Sequence, residues 1–221
     1  MIEIKSLTKN YSIDGQIFKA VDNVSLSVKK GEMVSIIGHS GSGKTTLLSL
    51  IGGLTKPDAG QVLIDDIDIW SMDDSALSTF RNKKISFIYQ FASLIPTLSA
   101  LDNIMLPTAF GEETGDIRGR AEELLGMVGL REKSGAYPSH LSGGQQRRIA
   151  IARAFINSPE IILADEPTGD LDEESEDEII RLFQDMSEKR KMTFLIVTHN
   201  KDIAAQARRQ LSMSNGVLSE K

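Results

Sequence analysis

Eight residues, Gly38-His39-Ser40-Gly41-Ser42-Gly43-Lys44-Thr45, fit the spacing G-x-x-x-x-G-K-[ST]. Glycines so placed let successive backbone N–H groups turn inward onto phosphate oxygens, and a helix starting behind them adds partial positive charge. Lys44 then supplies a point charge for the outer phosphates, and the Thr45 hydroxyl suits a Mg²⁺ ligand. Two carboxylates, Asp165 and Glu166, close the apolar run Ile161 to Ala164. Asp165 can hold Mg²⁺ through its water shell, and Glu166 can orient or deprotonate an attacking water. Gln90 and His199 also end apolar runs. Each is an ordinary polar residue in isolation. Beside a phosphate loop, His199 becomes a γ-phosphate sensor and Gln90 a neutral partner for water on Mg²⁺ or on substrate. His39 lies inside the loop where no specific role is required. A second glycine turn, Ser142-Gly143-Gly144-Gln145 after Leu141, opens another helical stretch and so makes a second anion-binding helix N-terminus.

The elements that must position these groups are readable from periodicity. Val24, Leu26 and Val28 alternate with Ser25, Ser27 and Lys29, as in a half-exposed antiparallel strand. Met33 to Ile37, Ile85 to Tyr89, Ile161 to Ala164 and Phe194 to Val197 are instead nearly continuous apolar runs, as buried parallel strands are. Parallel α/β sheets bind ligands outside the carboxyl ends of their strands, so four such ends carrying polar groups predict one shared site. Helices are expected at Thr45 to Ile51, Arg118 to Val128 and Leu171 to Arg190. The last has an apolar stripe of Ile179, Ile180, Phe183 and Met186, acidic first turns and a basic end, matching the helix dipole; its charges read as a solvated face. Residues 91–140 hold no long buried-strand run and read as a helical insertion with loops, and a final strand and turn are expected over Leu211 to Val217. No internal repeat or low-complexity tract is evident.

Composition sets the outer bounds. The chain has 221 residues, enough for one large domain with or without a subdomain, and no cysteine, which excludes disulfides, thiol chemistry and Cys-based zinc sites. The net charge of −6 argues against a general nucleic-acid binder. The N-terminus lacks an apolar run of signal-peptide length, and the longest apolar stretches fall far below the ~20 residues of a membrane helix. Any membrane role is therefore expected through a partner, without direct insertion.

Taken in order, GHSGSGKT, LSGGQ, ILADEP, the Gly169-Asp170-Leu171-Asp172 stretch and VTH resemble the ATP-binding-cassette ATPases over essentially the whole chain. The resemblance implies an α/β P-loop NTPase fold with a mostly parallel core sheet, an antiparallel β-subdomain and a helical subdomain at about 91–157 within one cassette spanning 1–221. It implies ATP and Mg²⁺ as cofactors. Gly38, Ser40, Gly41, Ser42, Gly43, Lys44, Thr45 and Thr46 correspond to the Walker A loop, Asp165 to the Walker B aspartate and Glu166 to the catalytic glutamate. Gln90 matches the Q-loop, Ser142, Gly143, Gly144 and Gln145 the signature, Asp172 the D-loop acid and His199 the switch histidine. Thr45, Gln90 and Asp165 would face the metal, and Tyr11 stands where an aromatic stacks on adenine, with Phe18 to Val21 close to the same base.

In that family two cassettes pair head to tail, the signature of one capping ATP on the loop of the other, a C₂ arrangement that uses both glycine turns. The partners implied are a second copy in the ATP state and integral-membrane permease subunits on the cytoplasmic face of the cell membrane. Residues Gln90 to Pro107 are similar to lipoprotein-releasing, macrolide-efflux and cell-division cassettes, which implies an export or mechanotransmission complex. Phe91-Ala92, His39 and Arg147 depart from that group, Arg147 standing where Gln is common. An amino-acid-type importer subunit, a cell-division scaffold and a non-transport ATPase stay open as alternatives.

Overall fold

A computed structural model describes residues 2–13, 15–111, 115–169 and 171–220. The chain opens on a long antiparallel hairpin, β1 (Ile2–Ile13) and β2 (Gln16–Val28). Next, β3 (Met33–Ile37) leads through the glycine loop into α1 (Lys44–Ile51). After β4 (Ala59–Ile64) and β5 (Ile67–Asp68), α2 (Asp74–Lys84) delivers the chain to β6 (Ile85–Ile88). Three helices follow, α3 (Ala100–Met105), α4 (Ile117–Met127) and α5 (Gly143–Phe155), before β7 (Ile161–Asp165). The remainder is α6 (Glu173–Arg190), β8 (Thr193–Thr198), α7 (Lys201–Ala205), β9 (Arg209–Ser214) and β10 (Val217–Glu220).

Two sheets result. One is antiparallel, in the order β2-β1-β4-β5. The other runs β10-β9-β3-β8-β7-β6, parallel from β9 to β6, with β10 antiparallel at its edge. The strand expected from Val24 to Val28 is the buried end of β2, with Ser25 and Ser27 exposed between its apolar residues.

The parallel sheet separates two apolar cores because successive side chains on a strand point to opposite faces. On β8, Phe194 and Ile196 join one core while Leu195 and Val197 join the other; on β7, Ile162 and Ala164 part in the same way from Ile161 and Leu163. The first core contains α3, α4, α5 and α6 residues, and Phe183 of α6 stacks on Phe194 with ring centroids 5.0 Å apart. The second lies between the sheets and takes in α1. Trp70 closes its edge, the indole N–H donating to Leu50 O at 3.1 Å.

α6 begins at Glu173, with Asp172 as its cap, and its buried residues include the expected Ile179, Ile180, Phe183 and Met186. β1, β4 and α2 were not foreseen from sequence. Among the described residues no helix is long and apolar enough to cross a membrane.

Candidate functional site

The strand order β3-β8-β7-β6 makes neighbours of the four polar strand ends. With adjacent strands spaced about 4.8 Å, the loop after β3, His199 after β8, Asp165-Glu166 on β7 and Gln90 after β6 fall along about 14 Å of one sheet edge. They line one cleft of about 630 Å³, together with Tyr11 and Phe18. That volume is within the range usual for small-molecule sites.

The loop holds its shape through glycine. Gly43 has φ 104°, and a Cβ there would meet Ala20 O at 2.0 Å. At Gly38 a Cβ would meet Met213 O at 2.4 Å. The loop is thus wedged between β2 and β9. No side chain caps the N-terminus of α1, so its first amides remain available to a ligand. Lys44 folds back, Nζ donating to Gly38 O at 2.6 Å and His39 O at 3.0 Å. Ser42 Oγ is buried and has no hydrogen-bond partner among the described residues.

Thr45 Oγ1 donates to Asp165 Oδ2 at 2.6 Å. Burial pushes the Asp165 carboxyl up; the Thr45 hydrogen bond opposes this, the neighbouring Glu166 charge reinforces it and Lys44 lowers it again. Glu166 sits at φ 47°, in the left-handed region that costs a non-glycine residue strain. Its Oε2 accepts from Thr198 Oγ1 at 2.8 Å, and its Oε1 accepts from the His199 backbone N–H at 2.8 Å. His199 Nδ1 lies 2.8 Å from the same Oε1. Glu166 and His199 are therefore hydrogen-bonded to each other, with the imidazole exposed and the carboxylate largely enclosed.

Tyr11 and Phe18 are register partners on the β1–β2 hairpin and form a half-exposed aromatic ledge at one side of the cleft. Of the segment after Tyr11, Phe18 and Ala20 line the cleft, whereas Val21 is in the core and Lys19 bonds Asp22. Thr46 lines the cleft as expected, and so does His39, for which no role had been assigned. Gly38 does not line it; its carbonyl serves Lys44.

The second glycine turn and Asp172 stand apart from this cleft. Ser142 caps α5 in a reciprocal box: its Oγ accepts from Gln145 N–H at 3.2 Å, and Gln145 Oε1 accepts from Ser142 N–H at 3.0 Å. A Cβ at Gly143 would meet nothing within 4 Å. Asp172 accepts from the Ser175 N–H and hydroxyl at 2.9 and 2.8 Å, which holds its carboxyl below the usual carboxylate range. Asp170 lies outside the described residues. Sequence reasoning missed Thr198 as a partner of Glu166, and it missed the burial of Arg147, which is 2% exposed.

A profile described as ABC transporter matches residues 21–169. The chain is 42% identical over its full length, and over all of the relative's, to the lipoprotein-releasing system ATP-binding protein LolD of Bacteroides thetaiotaomicron. It is 43% identical to the macrolide export ATP-binding/permease protein MacB of Chlorobaculum tepidum, over 99% of this chain and 33% of that one. Among known structures, the dimeric post-hydrolysis state of the ATP-binding cassette MJ0796 bound to ADP and Pi superposes with a TM-score of 0.93 at 42% identity, covering 100% of this chain and 98% of the other. MJ0796 is a protein of Methanocaldococcus jannaschii.

Proposed function

Because this chain belongs to the ABC transporter family, we propose that it is an ATP-hydrolysing subunit that pairs head to tail with a second copy and powers a membrane permease. The observation that carries the reading is the single cleft in which an uncapped helix N-terminus faces Asp165, Glu166, Gln90 and His199. We take residues 1–221 as one cassette with a helical subdomain at about 91–157, placed against the cytoplasmic face of the membrane by its permease. Lipoprotein release or efflux is the favoured output, in line with relatives named for those roles.

Each side chain then has a task. Tyr11, with Phe18 beside it, stacks on the adenine. The loop amides and the buried Ser42 hydroxyl, which has no partner among the described residues, meet phosphate oxygens. Lys44 exchanges its two loop carbonyls for the outer phosphates. Hard oxygen donors on Thr45 and Asp165, 2.6 Å apart, fit Mg²⁺, with Gln90 across the cleft. Among the described residues no cluster of three His, Cys, Asp or Glu offers a complete cage, so phosphate and water would supply the remaining ligands. When bound, Mg²⁺ neutralises charge on the transferring phosphate.

Glu166 orients the attacking water and takes its proton, a role worth about 10²–10⁴-fold in rate. To do so its carboxylate must open toward the phosphate, releasing the His199 ring to donate to the γ-phosphate. Nothing among the described residues requires glycine at position 143, and a bare backbone there suits close approach to nucleotide on a second copy. The permease has a fitting surface as well: a groove of about 450 Å³ between α2, β6 and the 106–110 segment, bordered by Leu54, Tyr89, Phe110 and Arg153.

The test is Glu166→Gln with ATP and Mg²⁺. The variant is expected to bind ATP, to lose turnover by at least about 10²-fold and to elute as a dimer, while Lys44→Ala fails to bind. Near-normal turnover would remove Glu166 as the base, and a monomer at saturating ATP would remove head-to-tail pairing.

A further inference from the structure

Arg147 lies in the second turn of α5, 2% exposed, and no step above uses it. Its guanidinium reaches two loops at once. Nη1 donates to Tyr89 O at 2.5 Å, Nη2 donates to Gln90 O, and Nε donates to Gly169 O at 3.2 Å. Gly169 N–H in turn donates to Glu166 O at 3.2 Å. Arg147 and Glu166 also line one cavity of about 340 Å³, alongside Gln90 and His199. The helix that carries this arginine is the one headed by Ser142 and its capping box.

We propose that Arg147 is a positioning residue that fixes the Gln90 backbone and the turn behind Glu166 to the helix of the second glycine turn. An event at that turn, such as docking on a partner's nucleotide, is thereby passed to both Gln90 and Glu166. The inference rests on the ATPase reading above. Its chemistry is specific to arginine. A planar fork of N–H donors can serve several carbonyls in fixed directions, whereas a glutamine amide has two N–H groups on a shorter stem and a lysine has a point-like head. Either replacement leaves at least one of these part-buried carbonyls without its donor, and the loop is then free to seek another partner. Glutamine, the common residue here in the family that the sequence resembles, is therefore not neutral in this chain.

The experiment measures ATP hydrolysis and ADP affinity of the purified wild type, Arg147→Gln and Arg147→Lys. Both variants are expected to lose about 10- to 100-fold in kcat, the scale of a misplacement of about 1 Å in a catalytic group, with KM for ATP and the Kd for ADP unchanged. Hydrogen exchange over residues 89–91 and 167–171 should quicken. Should Arg147→Gln fail to fold, Arg147→Lys decides by the same split. Wild-type kcat in either variant overturns the inference, as does a parallel fall in kcat and ADP affinity, which marks a merely structural role. An inactive wild type overturns the ATPase reading itself, whereas an active wild type with indifferent variants overturns the coupling alone.

Discussion

Asp165 is enclosed at the core sheet's edge, whereas the metal-ligand role proposed for it needs a charged carboxylate. Burial raises its pKa, so its ionised form costs the folded state free energy. The stability tied to a raised carboxyl is present below the unfolded pKa and lost as pH rises through the folded one. Mg²⁺ held by Thr45 and Asp165, as proposed above, would offset that loss. Thermal stabilisation by Mg²⁺ with ADP, relative to ADP alone, should therefore be largest above the raised pKa and shrink as pH falls through it. In Asp165→Asn the dependence on Mg²⁺ should vanish at all pH values, and a thermal-shift titration across acid pH checks both. Glu166 shows a second tension, since its left-handed backbone aims the carboxylate back at Thr198 and His199. Strain of about 1–3 kcal/mol is typical of such residues.

α1 and α5 both begin at a glycine turn but finish their N-termini in opposite ways. α1 has no side-chain cap, while α5 ties up the Ser142 and Gln145 N–H groups in its reciprocal box. Ser142→Ala should cost the isolated chain about 1 kcal/mol in urea unfolding. Gly143→Ala, which meets open space, should leave that stability intact yet weaken ATP-driven pairing, so the two variants separate the fold from the interface. The buried parallel strands were legible because each is an apolar run with an abrupt polar end, and their adjacency supplied the cleft. β1 was not, because its alternation breaks at Ser6, a residue at φ 48° within a shift of register. α2 buries only Leu77 and so shows no stripe. Arg147 stands in a polar run, Gln145 to Arg148, that reads as helix surface, and only tertiary packing reveals it as a buried clamp.

At the scale of the whole molecule, the glycine turn on α5 lies outside the cleft that holds the glycine loop after β3, so under the proposed head-to-tail pairing one copy would hold half of each of two sites and the pair would complete both. Ligand that binds only the folded pair raises stability by mass action, by about 2.7 kcal/mol at a hundred times Kd. With ATP and Mg²⁺, the Tm of Glu166→Gln should rise with protein concentration, whereas without nucleotide it should not. A Tm independent of concentration in both states would count against ATP-held pairing. Trp70, whose indole holds Leu50 O, is the chain's one tryptophan. Leu50 lies near the far end of the eight-residue helix that starts at Lys44, a rod about 12 Å long. The protein's tryptophan emission therefore has a single source, hydrogen-bonded near the far end of the helix that starts at the glycine loop, and a nucleotide titration of the unlabelled chain is expected to shift that emission.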